Sequence, residues 1–349
     1  MADILRPMKF SDVNLQDPFF DSLKADYAEF EDWFHRKGNK EAYVLDDSGC
    51  IQAFLYLKLE LEPVNDVDPP MQQARRRVKV GTLKVNPHGT RLGERCVKKA
   101  LDFAVAEGAE ELYVTVFPKH AALKQLLETY GFVKHGAKTT KNGTEDVLVK
   151  SLSTLSGDLL LDYPKVDARR ASKYLLSVWP EYHTRLFPDS ILNNEPFNVI
   201  DDVSHTNSIH KVYLCRMDVS ELERGDILVI YRTSDKKGPA WYRSVATSVC
   251  VVEECLPRDS FGSSADLIDY CRSYSVFSDN ELEELYRQRS LQVIRMTYNL
   301  AMKRRLTRQR LVEEVGLDTD EYWGFMELSD HEFRAITEVG EVDESLIIY

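Results

Sequence analysis

Between Leu83 and Gly93 the chain reads LKVNPHGTRLG, and no other stretch constrains the fold as much. Ahead of it, Val78, Val80, Leu83 and Val85 predict a β-strand that stops at Asn86-Pro87. Behind it, Val97, Ala100, Leu101, Ala104 and Val105 recur at helical spacing, so an amphipathic helix is expected from Gly93. A strand joined to a helix through a turn containing Gly89 leaves several backbone N–H groups unpaired at the helix start. Fixed donors and the helix dipole together favour an anion there, and phosphate or pyrophosphate is the expected one. Many such turns bind nothing, so the order of the surrounding elements has to decide.

Downstream lie a strand over Glu111 to Phe117, a short helix over His120 to Tyr130, and the triplet Gly131, Phe132, Val133. Upstream, ILRPMKFSD from Ile4 to Asp12 reads as a first strand turning into a helix. With the strand that ends Val85, Asn86, Pro87, this order resembles the GNAT N-acetyltransferase superfamily over about Asp3 to Lys150. The resemblance implies an acetyl-CoA-binding α/β domain. Backbone groups of Leu83, Lys84 and Val85 would align the pantetheine, and His88, Gly89, Thr90, Arg91, Leu92 and Gly93 would hold the pyrophosphate.

The chain departs from that pattern at chemically important places. His88 stands where the family usually has Arg or Gln, and Arg91 where it usually has a glycine. The β-carbon of Arg91 is expected to bar the positive φ that glycine adopts freely, although its guanidinium could contact a phosphate. The tyrosine that many relatives use to protonate the CoA thiolate is replaced by Leu127. Tyr130, most of a turn away, is the remaining candidate acid, although it reads more readily as a packing residue with a wetted hydroxyl. No Asp or Glu lies between Arg75 and Val85 to act as a base. His88 and His120 are left as titratable groups near the expected centre, each also readable as a surface histidine.

At 349 residues the chain is too long for one ordinary core and is expected to form two domains. Expected boundaries are 1–150 for the acetyltransferase-like domain, 151–167 for a polar linker, and 168–349 for a second domain. The six cysteines show no paired spacing, which predicts reduced thiols, a cytoplasmic setting and no metal site. No apolar run is long enough to span a bilayer, and the first ten residues lack the apolar core of a signal peptide. Pro63 to Pro70 reads as a long hairpin connection, followed by the basic patch Arg75, Arg76, Arg77 at a charged strand edge or near an acceptor site.

The C-terminal half reads as short strands with turn signals. These are Lys173 to Tyr182 running into a Pro turn, Lys211 to Met217, Leu222 to Tyr231, and Trp241 to Glu254. Ser177 to Tyr182, Arg224 to Ile230 and Val245 to Glu253 resemble the ASCH and PUA-like domains, small barrels associated with RNA or modified nucleotides. The Gly-x-Lys-x-x-Glu-x-Arg signature of many ASCH members is absent after Tyr182, so a binding role fits better than hydrolysis. The expected fold class is thus α/β (α+β): an acetyltransferase-type mixed sheet followed by a small PUA-like β-barrel with added helices.

The formal charge is −12, and residues 151–349 carry 23 Lys/Arg against 34 Asp/Glu. Bulk charge would repel a polyanion. Yet Arg287 to Arg310 contains eight basic residues and no acid. Arg295, Lys303, Arg304, Arg305, Arg308 and Arg310 could therefore track a phosphate backbone, unless the acidic tail beyond Leu311 neutralises them. The expected function is N-acetyl transfer from acetyl-CoA to an amine of RNA, aminoacyl-tRNA or a modified nucleotide. The alternatives are a catalytically degenerate CoA or nucleotide sensor, and an acetyltransferase toxin or defence protein. The sequence leaves the oligomeric state open.

Overall fold

The computed structural model describes residues 5–86, 91–187 and 208–349. The chain divides into two compact units, Met1–Asp162 and Tyr163–Tyr349. Both are mixed sheets with helices, the fold class expected from the sequence.

The first unit is a seven-stranded sheet in the order β1-β2-β3-β4-β5-β7-β6. In chain order the elements are β1 (Arg6–Lys9), α1 (Asp21–Asp26), α2 (Phe30–Arg36), β2 (Glu41–Asp47), β3 (Cys50–Glu60) and β4 (Arg77–Val85). Then follow α3 (Leu92–Ala106), β5 (Glu111–Val116), α4 (Ala121–Thr129), β6 (Val133–Thr140), β7 (Gly143–Ser151) and α5 (Leu159–Asp162). Among the described residues of this unit only β4 and β5 pair in parallel, because α3 is the crossover between them. The periodicity noted above holds: Val97, Ala100, Leu101 and Ala104 are buried on α3. An aromatic cluster fixes α1 and α2, with Phe10, Phe20, Phe34 and Phe54 in mutual edge or tilted contact. The segment expected as a hairpin loop crosses β6 instead of standing in solvent. Asp68 bridges Ala137, and a Cβ on Gly136 would meet the Asp68 carbonyl oxygen at 2.1 Å. Only glycine admits that approach.

The second unit holds a six-stranded sheet in the order β10-β13-β12-β11-β9-β14 and a two-residue parallel pair, β8 with β15. Its elements begin with β8 (Val166–Asp167), β9 (Lys173–Val178), α6 (Pro180–Leu186), β10 (His210–Cys215), β11 (Ile227–Arg232) and α7 (Ala240–Arg243). They continue with β12 (Val245–Pro257), α8 (Ser264–Cys271), α9 (Asp279–Tyr286), β13 (Gln292–Thr307), α10 (Arg308–Arg310), β14 (Phe325–Glu327), α11 (Asp330–Val339) and β15 (Ile347–Ile348). β9, β10 and β11 are buried along their whole length, which explains their mostly apolar character, with Lys173, Ser177, His210, Lys211 and Arg232 the polar exceptions. The long pair β12 and β13 carries three register shifts. No ladder joins the outer strands β10 and β14 among the described residues.

Two segments differ from the sequence reading. Pro180 begins a helix rather than a turn, because a proline at the first helical position forfeits no hydrogen bond. The polar stretch 151–167 is largely structured. Ser151 completes β7, and Tyr163 is fully buried with its hydroxyl on the Tyr298 carbonyl at 2.8 Å. Composition registers the small polar residues there but not the contacts they make.

Candidate functional site

The site begins where β4 leaves β5. Their pairing runs from Arg77–Glu111 to Val80–Val114 and then stops, while β4 continues to Val85 alongside β3. At the same point β4 bulges: Tyr56 faces Thr82 and Leu57 faces Val80, so Gly81 is the extra residue. A side chain there would strike the Tyr56 ring, since a Cβ would come within 2.8 Å of it. Beyond the bulge Thr82, Leu83, Lys84 and Val85 are half-buried, although β4 is the middle strand of seven. Their backbone edge on the β5 side has no strand opposite it. Unpaired amides in such a position call for a hydrogen-bonding ligand with an extended chain.

A cavity of about 410 Å³ opens at this divergence, lined by Gly81, Thr82 and Leu83 together with side chains from the 23–37 segment, β3, β5, β6 and β7. Glu145 of β7 is the buried carboxylate in it. Its Oε1 accepts from the Tyr27 hydroxyl at 2.6 Å and from Thr115 Oγ1 at 3.2 Å. Burial pushes the Tyr27 phenol far above its usual range, and the hydrogen bond and charge of Glu145 add to the effect. Tyr27 therefore stays protonated and serves as a donor that orients Glu145. Asp26 and His120 lie on the same wall, with His120 Nε2 3.4 Å from Asp26 Oδ2.

On β4 the cavity wall contains Lys79, whose ammonium lies 5.3 Å from the Tyr113 ring centre. Desolvation pulls its pKa below the usual lysine range, and the charge of Lys138 adds to the fall. Tyr113 in turn donates to Glu60 Oε2 at 2.5 Å, and Lys58 holds Glu60 Oε1 at 2.8 Å.

The residues expected from the sequence are distributed unevenly around this centre. Leu83 and His120 line the cavity. Tyr130 does not: it caps α4 in the core with 2% of its surface exposed, beside the equally buried Leu127. A hydroxyl in that position is packed away from the cavity, so Tyr130 is not positioned as the acid. Lys84 turns from the strand to Ser22 Oγ (2.5 Å) and the Phe19 carbonyl, and Val85 pairs with Ala53. Arg91 does adopt the left-handed region, at φ 54°, as the residue preceding α3. That corrects the expectation from its β-carbon: the region is small for non-glycine residues but allowed, at a cost of roughly 1–2 kcal/mol. Leu92 is buried, and Gly93 is closed over by α4, where a Cβ would lie 2.9 Å from Leu126 Cδ2. His88, Gly89 and Thr90 lie outside the described residues.

Glu145, Tyr27 and Lys79 are the residues that sequence reasoning missed. An acidic base was expected on the strand before the turn, with His88 and His120 as the other candidates, whereas the carboxylate comes from β7, beyond β5. A signal was present: Glu145 alternates in phase with Val147 and Val149, an acid on the core face of a strand.

In the second unit the basic stretch is mostly strand β13. Arg295 lies against Glu253 (3.2 Å) and over Tyr274, and Arg310 is clasped by Glu314 at 2.5 Å. Glu314 belongs to the acidic tail, whereas Glu253 belongs to β12, so the tail neutralises only part of the stretch. Lys303 and Arg304 are exposed, and the Arg308 guanidinium stacks 4.4 Å from the centre of Trp323. Arg305 lies close enough to the buried His183 to depress its protonation, as does Arg232. Trp179, Tyr242 and Tyr322, at the C-terminal end of β9, in α7 and beside Trp323, are 56–66% exposed. No group of three or more His, Cys, Asp or Glu residues able to hold a metal ion occurs among the described residues. No helix among them is long and apolar enough to cross a membrane.

No protein-family model and no curated protein matches the chain. Solved structures similar to parts of it include an ASCH protein of Zymomonas mobilis, 11% identical over 48% of this chain and 95% of that one, with a TM-score of 0.33. The NatC complex bound to Gag peptide and CoA is 17% identical over 43% of this chain and 99% of that one, with a TM-score of 0.29. A GNAT-family acetyltransferase of Streptococcus agalactiae is 13% identical over 36% of this chain and 73% of that one, with a TM-score of 0.28.

Proposed function

We propose that the chain is an acetyl-CoA-dependent N-acetyltransferase. The observation that carries the reading is the open backbone edge of β4 beside a cavity holding a buried carboxylate. Acetyl-CoA would supply an activated acetyl thioester. The edge from Gly81 to Val85 would hold the pantetheine arm by backbone hydrogen bonds, as a strand would. One of its N–H groups would take the developing negative charge on the carbonyl oxygen. Glu145, held by Tyr27 and Thr115, would accept the proton that the acceptor amine must shed before its nitrogen attacks. As the carbon–nitrogen bond forms, the carbon–sulfur bond breaks and the thiolate leaves to be protonated from solvent.

Calorimetry with acetyl-CoA tests the first step, and binding in the micromolar range is expected. No heat at millimolar acetyl-CoA, with the chain folded, ends the reading. Binding without CoA release across a panel of amines would leave a sensor in its place.

The acceptor is proposed to be an amine of RNA, aminoacyl-tRNA or a modified nucleotide, selected by the second unit in a cytoplasmic setting. Support comes from exposed Lys303 and Arg304 and from the three exposed aromatics near the Arg308–Trp323 stack. Cations for phosphates and rings for bases are the combination that single strands use. RNA binding should then weaken steeply with salt. Replacing Lys303, Arg304 and Arg308 by Gln should reduce both affinity and the salt slope, each lost phosphate contact lowering the slope by about 1. Affinity flat with salt and indifferent to the triple change would remove nucleic acid from the proposal.

A further inference from the structure

The charges lining the first unit's cavity are segregated. The Tyr27 hydroxyl feels three carboxylates, Glu145, Asp26 and Glu29. Lys119 holds Asp26 and Lys141 holds Glu29 at 3.3 Å, whereas Glu145 is met by the neutral hydroxyls of Tyr27 and Thr115. Lys79 has different company: Lys58 and Lys138 with Glu60 and Asp66. Both carboxylates near Lys79 already have partners. Glu60 is held by Lys58 at 2.8 Å and by Tyr113, and Asp66 by Lys138 at 2.5 Å. Three ammonium groups thus face two carboxylates, and Lys79 is the one of the three with no carboxylate in ion-pair contact among the described residues. Its ammonium rests on the Tyr113 ring. A largely desolvated cation lining a cavity is costly unless an anion arrives.

We propose that this cavity takes a dipolar acceptor, a primary amine at the Tyr27–Glu145 end with an oxyanion of the same molecule, carboxylate or phosphate, on Lys79. A cavity of about 410 Å³ accommodates a small molecule of this kind or the terminal portion of a larger one. An acceptor lacking the anion would leave Lys79 uncompensated, and one lacking the amine would leave Glu145 without a counter-charge. The chemical step rests on the acetyl-transfer reading, whereas the charge complementarity does not.

The test uses the full chain with ¹³C-labelled lysine and tyrosine. Acetate, inorganic phosphate and methylammonium are titrated separately at constant ionic strength. Lys79→Met and Tyr27→Phe assign the two resonances. Acetate or phosphate is expected to move the Lys79 signal saturably while exposed Lys9, outside the cavity, stays still, and methylammonium to move the Tyr27 ring signals instead. Response to acetate alone assigns a carboxylate acceptor, and response to phosphate alone a phosphorylated one. No saturable shift at Lys79 with either anion, or an equal response at both residues to all three probes, overturns the proposal. Calorimetry with acetyl-CoA on the same sample keeps the two readings apart. Cofactor binding without an anion response removes the dipolar acceptor only, whereas an anion response without cofactor binding removes acetyl transfer only.

Discussion

Glu145→Gln is expected to lower the rate of acetyl transfer by about 10²- to 10⁴-fold, the range typical for loss of a positioned general base. Acetyl-CoA affinity should hardly change, because the cofactor would meet the backbone of β4 rather than β7. The fold should survive as well, since the glutamine keeps a carbonyl oxygen for the Tyr27 hydroxyl and for Thr115. Tyr27→Phe should give a smaller loss, because the carboxylate remains but is no longer oriented. Full activity in Glu145→Gln would show that the amine loses its proton elsewhere, with His120 and Asp26 the next groups on that wall.

Acid is expected to destabilise the chain through His183. The ring is completely buried, its Nε2 bonded to Thr247 Oγ1 at 2.8 Å, and its Nδ1 has no hydrogen-bond partner among the described residues. Burial drives its pKa down to about 3, and the nearby charges of Arg232 and Arg305 push the same way. A depressed folded-state value means that the unfolded chain takes up the proton first. The stabilisation is therefore complete above the unfolded pKa near 6.5 and is lost as pH falls towards the folded value. Two pH units below 6.5 the loss amounts to about 3 kcal/mol, a large share of the stability of an ordinary domain. Carboxylates held low by arginine, such as the half-buried Asp235, give up their smaller contributions only at lower pH. Urea unfolding between pH 7.5 and 4.5 reads the effect directly. His183→Gln should flatten the curve by about one proton, and parallel curves for variant and wild type would assign the acid sensitivity to another group.

The amino-acid pattern alone determined the elements that carry their own periodicity or chemistry. The strand ending at Val85, the helix with Val97, Ala100, Leu101 and Ala104 inward, and the short helix before Gly131 are all legible, because each is set by neighbours within a few residues. So are the buried strands of the second unit, whose apolar runs need no partner to be recognised. The site is a different matter. The divergence of β4 from β5 comes from where one ladder stops and a bulge begins at Gly81, which depends on strands far apart in the chain. Glu145 meets Tyr27 across 118 residues, and no local spacing encodes such a contact. Tyr130 shows the converse. Its place near Gly131 and Phe132 suggested chemistry, but the turn of α4 that it caps faces the core, and burial decided its role. The charges of Lys58, Lys79 and Lys138 are plain in the sequence. That they face the same cavity as Glu145, with two carboxylates already taken, is a property of the folded sheet, since side chains on three strands become neighbours only when the strands pair.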